Sequence, residues 1–439
     1  MAKRLWNGRT QTIAVMEFKG LRILILVLLA AILPAKAQIA EDDTRTQVAD
    51  SRFKSLQVKL DGNDYFPPII TLNGDDRIKI SFDELSDERS YLRYSVIHCN
   101  ADWTPSDLVE SEYLDGFNYA DIVDYKFSIG TLCHYVHYSF SLPNDDIKFL
   151  VSGNYLVKIY SEDEPETTLL QARFYVCENA VSVGTSVTSR TDIDYNREHQ
   201  QVSFVVDTKD YSIRNMYSDI KAYVSQNGRL DNEAFINSPL MVAGKRITYN
   251  KDKRLIFEAG NEYRRIETVT QHGISMGVER MEYHHPYYHA RLHTDFMRAE
   301  ESYIYDQTQL GRFTIRSSEA NDSDNGAEYI ITHFTLDTGG KLESGSIYLE
   351  GEFTNHLFTP ATMMKYDPST GLYTADLMLK QGAYNYQYLY VPEGSSKGHS
   401  SIDGNKFQTV NEYLVKVYHR DPASRYDRFI GFGIAFSGK

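Results

Sequence analysis

The chain has 439 residues, 42% hydrophobic and 24% charged, with 27 Gly and 12 Pro. At roughly 100–200 residues per domain, that length implies two or three domains, and the composition excludes wholesale disorder, collagen-like repeats and a polytopic membrane protein. Sixty acidic against 46 basic residues give a net charge of −14, which argues against nucleic acid as a partner, because phosphate recognition needs clustered Lys and Arg.

The amino terminus reads as a secretory leader over residues 1–37. An apolar run from Ile23 to Leu33 follows Lys19 and Arg22 and ends in Ala35-Lys36-Ala37. Such a run is too short to span a bilayer but has the basic flank and small-x-small site that signal peptidase reads. The stretch before Met16 reads as a misassigned start. Cleavage after Ala37 leaves 40 basic against 59 acidic residues and begins the chain at Gln38, so no lipid-bearing Cys follows the cut. No later apolar stretch is long enough for a direct membrane span. A soluble, acidic, periplasmic protein is expected.

After a polar lead-in, apolar residues alternate at Leu56, Val58, Leu60, at Ile78, Ile80, Phe82 and at Leu92, Tyr94, Val96. The pattern returns at Tyr138, Phe140, Leu142, at Tyr155, Val157, Ile159 and at Leu170, Ala172, Phe174, Val176. Period two in short runs predicts half-buried strands, and this many over residues 50–178 predict an N-terminal β-sandwich. A middle β-sandwich is predicted over 179–316, from Val202, Phe204, Val206 and Ile220, Ala222, Val224 with the turn Gln226-Asn227-Gly228-Arg229. The polar run Ser317 to Gly326 reads as a linker or exposed loop. A C-terminal early-set-like β-sandwich follows over 327–439, with Tyr329, Ile331, His333, the alternating Tyr384, Tyr386, Tyr388 and a basic stretch at Arg420, Arg425, Arg428. The fold class is all-β: tandem immunoglobulin-like/early-set β-sandwich domains with little helix. The load of 33 Tyr and 21 Phe against two Trp suits rings packed across strands.

Arrangements that chemistry requires are missing from the sequence. There is no HExxH, GxSxG or Walker loop, and Gly431-Phe432-Gly433 lacks both the third Gly and the βαβ setting of a dinucleotide site. Asp322 and Asp324 are spaced like calcium-loop ligands, but His333 stands where a bidentate Glu is needed. Cys99, Cys133 and Cys177 form no CxxC pair and allow at most one disulfide, the choice of pair being open. His284, His285, His289 and His293 read as loop or strand histidines, since Pro286 breaks any helix that would align them. Asp102-Trp103 could offer a sugar-stacking ring, although a lone Trp in a sandwich more often packs in the core. No enzyme, metal or cofactor is expected.

Longer motifs carry a resemblance. His98-Cys99-Asn100-Ala101-Asp102-Trp103-Thr104-Pro105, Glu112-Tyr113-Leu114-Asp115-Gly116-Phe117, Ser152-Gly153-Asn154-Tyr155, Phe257-Glu258-Ala259-Gly260-Asn261-Glu262-Tyr263-Arg264, Gly382-Ala383-Tyr384-Asn385-Tyr386 and Arg425-Tyr426-Asp427-Arg428 lie in order along the mature chain. Together they closely resemble the type IX secretion system plug protein family. The resemblance implies a non-enzymatic periplasmic protein of Bacteroidota that closes the periplasmic end of a large outer-membrane β-barrel translocon when nothing is being exported. The third unit also resembles early-set glycogen-binding modules, through Gly351-Glu352-Phe353-Thr354-Asn355, Met363 and the strand from Gly382 to Tyr390. That likeness is one of fold, since His356 stands where such modules place Trp, and the alternative of a periplasmic carbohydrate-binding protein ranks second. Tyr384, Tyr386 and Tyr388, and Arg425, Tyr426 and Arg428, are candidate partner contacts because Tyr and Arg recur at interface hot spots. Cross-strand packing for the tyrosines and an internally ion-paired terminus for the arginines are the alternatives.

Overall fold

The computed structural model describes residues 39–438, Glu41 excepted, and the leader expected over 1–37 lies outside them. Strands take up 47% of the residues and helix 4%, so the chain is an all-β protein of mostly antiparallel sheets. Its apolar side chains gather into three large cores, all within one compact unit.

The first core lies between two sheets. One runs Gln47–Val48, Glu164–Cys177, Gly153–Ser161, Leu92–Cys99, Ala120–Asp121, and the other runs Phe53–Leu60, Ile78–Glu84, Val136–Leu142, Asp124–Phe127. Alternate residues of each strand point inward, which buries Ile78, Ile80, Phe82, Tyr94, Val96, Tyr155 and Val157. The expected alternation of Leu56, Val58 and Leu60 breaks here. Pairing with Ile78–Glu84 slips between Lys54 and Gln57, and Ser55 adopts φ 53°, so only Leu56 of the three is fully buried. A bulge of this kind re-aims a side chain, and Ser55 Oγ reaches Tyr329 Oη at 2.8 Å.

The second core is closed by the end of the chain. Ser182–Thr188, His199–Asp207, Arg246–Tyr249 and Met241–Ala243 form one sheet. The facing sheet runs Ala234–Ile236, Ile220–Gln226, Glu412–His419, Arg428–Phe436, with Gln226 paired to Tyr413 and Ile220 to His419. Tyr413, Val415 and Val417 therefore pack with Val202, Phe204 and Val206.

The third core is built between those two parts. Gly382–Pro392 pairs with Arg264–Glu267, Phe313–Ile315 and Gly345–Glu350, opposite a sheet of Val278–His284, Tyr287–Leu292, Tyr329–Asp337, Leu372–Lys380 and Lys365–Asp367. The boundaries expected at 316 and 327, with a third unit reaching the end of the chain, thus do not follow the cores. Periodicity reports which face of a strand is buried and is silent on which distant strand it pairs with.

The segment read as a linker or exposed loop, Ser317 to Gly326, tethers the third unit to the first. It holds a helical turn at Ser323–Gly326, capped by Asp322, which accepts from the Asp324 N–H at 3.0 Å. Its backbone oxygens meet the first unit, the Asn325 carbonyl accepting from Ile129 N–H at 2.8 Å, while Asp322 accepts from Lys126 at 2.9 Å.

Candidate functional site

Of the six residues expected at a partner surface, Tyr384, Tyr386 and Tyr388 turn inward, Tyr426 and Arg428 are partly buried, and Arg425 is exposed. Tyr384, Tyr386 and Tyr388 are at most 3% exposed and belong to the third core. Tyr386 and Tyr388 both donate to Asp295 Oδ2, at 2.7 and 2.8 Å. Burial pushes all three phenols above their usual range. Arg264 lies beside them with its ring-facing guanidinium 5.3 Å from the Tyr388 centroid. It is paired with Asp295 and with Asp403 at 2.9 Å. The ladder is an internal hydrogen-bonded frame and offers no face to a partner or a sugar.

The basic stretch clips the end of the chain to the first unit. Arg428 forks onto Glu178 with two N–H donors at 2.9 and 2.6 Å. Tyr426 stands edge-on to the His98 ring at 5.3 Å. Arg425 donates to the Asp107 carbonyl at 3.1 Å and to the Glu112 carboxylate. Asp427, buried between them, accepts from the Ala101 N–H at 3.1 Å and from Lys221 at 3.0 Å.

His98 anchors this seam. Its Nδ1 sits 2.8 Å from Ser106 Oγ and its Nε2 3.1 Å from the Ser152 carbonyl. Because a carbonyl only accepts, Nε2 carries the proton and Nδ1 accepts from the Ser106 hydroxyl. Burial drives its pKa down to about 4, so it is neutral at physiological pH. Gly153, at φ 149°, admits the ring: a Cβ there would lie 2.3 Å from Nε2.

A second seam joins the first unit to the third. Asp83 and Lys380, each 1% exposed, pair at 2.6 Å. Tyr329 Oη donates to the same carboxylate at 2.6 Å, and His137 Nδ1 lies 2.7 Å from its other oxygen. Burial alone would raise the Asp83 pKa, but Lys380 and His137 more than offset it and hold it below the usual range. Lys380 also sits 4.2 Å above the Tyr135 ring and donates to the Asp324 carbonyl at 2.6 Å. A third seam joins the second and third cores through Arg312 to Glu412 at 2.8 Å and His399 to Glu258 at 2.7 Å. Where all three meet lies a cavity of about 180 Å³ bordered by Arg173, Glu233, Arg312, His356, Glu412 and Lys416. Its charged groups are largely consumed by one another, as in Lys416 to Glu233 at 2.7 Å.

The thiols lie apart in three clusters, Cys99 beside Trp103, Cys133 beside Tyr135, and Cys177 beside Phe429. All are free, and burial pushes them up to about 12, 11 and 12. Trp103 is 6% exposed beneath Arg173, whose guanidinium lies 4.0 Å from its ring. Among the histidines, the fold brings His289 Nδ1 within 2.8 Å of His333 Nε2 and His333 Nδ1 within 2.6 Å of Asp376, a grouping that spacing did not reveal. Among the described residues no three His, Cys, Asp or Glu are placed to hold a metal ion. No described helix is long and apolar enough to cross a membrane. Sequence reading also passed over residues 109–132, where large apolar side chains stand in solvent. The available signal was apolar residues interleaved with carboxylates without a steady alternation.

The three cores form one compact all-β unit joined across buried seams. Residues 53–178 match the profile of the type 9 secretion system plug protein 1st domain, and the chain belongs to the type IX secretion plug family. A crystal structure of a hypothetical protein from Parabacteroides merdae is similar at 44% identity and TM-score 0.89, over 90% of this chain and 100% of that one. An alkylpurine DNA glycosylase from Pseudomonas fluorescens aligns at 14% identity over 29% of this chain and 31% of its own, and its TM-score of 0.17 carries no argument. No curated protein matches the chain. The family is one of secretion plug domains and not an enzyme family.

Proposed function

We propose that this protein is the stopper of a type IX secretion translocon, a periplasmic body that occupies the periplasmic mouth of a large outer-membrane β-barrel when no cargo passes. The observation that carries this reading, beside family membership, is that three cores are locked into one unit by buried ties such as Asp83 to Lys380. A barrel wide enough for folded cargo holds a water-filled pore, and only a folded body of similar width that does not flex at its joints closes it. Cargo engagement then shifts the population from the plugged to the open state. A carbohydrate-binding role loses its support, since the tyrosine ladder and Trp103 are both buried. The test is purification of the tagged protein from detergent-solubilised outer membranes of its host. Recovery of a giant barrel protein, with small-solute leakage when the plug gene is deleted, is expected; recovery of no barrel overturns the reading.

A further inference from the structure

Seven of the 23 large apolar side chains that stand exposed among the described residues fall within the 24 residues from 109 to 132, where even scatter would place one or two. They include Phe117 at 75% and Val123 at 77% exposure, with Val109, Tyr119, Phe127 and Ile129. The cause is local. This segment closes one side of the first sandwich: Ala120–Asp121 pairs with Arg93 and Tyr94 at the edge of one sheet, and Asp124–Phe127 pairs with Val136–Leu142 at the edge of the other. Between them Ala120 and Ile122 point into the core while Val123 points out, so an outward position that usually carries a polar residue carries an apolar one. Edge strands are ordinarily blunted with charge against unwanted pairing, and exposed apolar patches on soluble proteins mark interaction sites.

The side chains form two local groups along this segment. Val109, Phe117 and Leu150 border one shallow cleft, and Phe117 packs on Tyr119 at 6.1 Å. Arg93 lies 6.0 Å from the Tyr119 ring. Further along, Arg89 lies over Tyr91 at 4.4 Å and over Tyr125 at 4.6 Å, and Tyr125 meets Phe127 at 5.9 Å.

Charge decides what fits there. The 109–132 segment carries five carboxylates, Glu110, Glu112, Asp115, Asp121 and Asp124, against Lys126 alone; Lys126 is paired with Asp322, Asp121 with Arg93 and Glu112 with Arg425, which leaves Glu110, Asp115 and Asp124 as the carboxylates outside any ion pair among the described residues. A second copy of the chain would set acid against acid, and so would an anionic lipid surface. The complementary occupant is a protein surface in which Lys and Arg flank an apolar strip.

We infer that this edge of the first unit is the docking surface for the translocon, which meets it with a basic, apolar-centred patch on its periplasmic rim. The inference rests on the plug reading and names the face that reading leaves open. The experiment measures binding of the full-length chain to the purified barrel, for wild type, for Phe117→Asp with Val123→Asp, and for Ile304→Asp, an equally exposed apolar residue outside the segment. Circular dichroism and melting of each variant establish that it is folded. The expected result is weakening by about ten-fold or more for the double variant, unchanged binding for Ile304→Asp, and wild-type affinity that falls with rising salt. A double variant that binds like wild type overturns the docking surface and leaves the plug reading intact. Wild type that does not bind the barrel overturns both. Self-association of wild type, or its capture by vesicles of anionic phospholipid, abolished by the double variant, overturns the assignment of the occupant.

Discussion

Against the third unit the first one buries charge: Asp83 and Lys380 meet at 2.6 Å with almost no solvent contact, ringed by Tyr329, Tyr135 and His137. Against the second it lays down aromatic rings, Phe429 stacked on Tyr418 at 4.9 Å and edge-on to Tyr175 at 5.9 Å, over Ile69 and Cys177. Polar groups cross this second seam beside the rings, as where Tyr418 Oη donates to Asn154 at 2.7 Å and Arg428 forks onto Glu178. An aromatic seam gains its stability from many small contacts and loses it gradually. A buried ion pair is all-or-none, because removing one partner strands the other charge in a medium that cannot solvate it.

The widest gap between the seams should appear in Lys380→Met, which leaves Asp83 unpaired. A loss of about 3–5 kcal/mol is expected, read by urea unfolding at neutral pH, with most of it recovered in the double variant with Asp83→Asn. A loss under about 1 kcal/mol would show that water reaches the pair.

Acid should separate the seams next. His98 is held at about 4 in the fold, against the ordinary 6.5 once unfolded. Between those values the unfolded chain binds the extra proton and the folded chain does not, so stability is full above pH 6.5 and falls as pH drops towards 4, by about 3 kcal/mol in all. Asp83 is displaced below the usual carboxylate range, so its contribution survives through that window and is lost only at lower pH. The unfolding free energy measured against pH should fall first over the His98 range, and His98→Gln should flatten that limb alone.

Tyr418→Phe keeps the ring and removes the donor to buried Asn154, for an expected cost of about 1–2 kcal/mol in the same unfolding measurement. Arg425→Ala, half exposed at the rim, should cost under about 1 kcal/mol. A larger effect there would mean that the clipped terminus carries more of the seam than its rings do.

The strands were readable because burial imposes period two. Ile78, Ile80 and Phe82, or Val202, Phe204 and Val206, are buried as the alternation requires. Partners were not readable where they lie far off in sequence. Nothing near Tyr386 and Tyr388 announces Asp295, 91 and 93 residues away, and nothing near Arg428 announces Glu178, 250 residues away. Tyrosines in a core and tyrosines at an interface have the same spacing, so only the fold could decide between them. The exposed edge escaped for the opposite reason: its two strands, of two and four residues, are too short for a periodic pattern to form.

The last described strands finish a sheet that Ile220–Gln226 began, with Gln226 bonding to Tyr413 187 residues later. A chain delivered from its amino terminus cannot complete that sheet until Glu412–His419 has been made, after the whole third core. Pairings so remote in sequence form slowly. A chain stopped before Glu412 therefore lacks the strands that pair with Ile220–Gln226 and pack in the second core, and is left with an unpaired sheet edge.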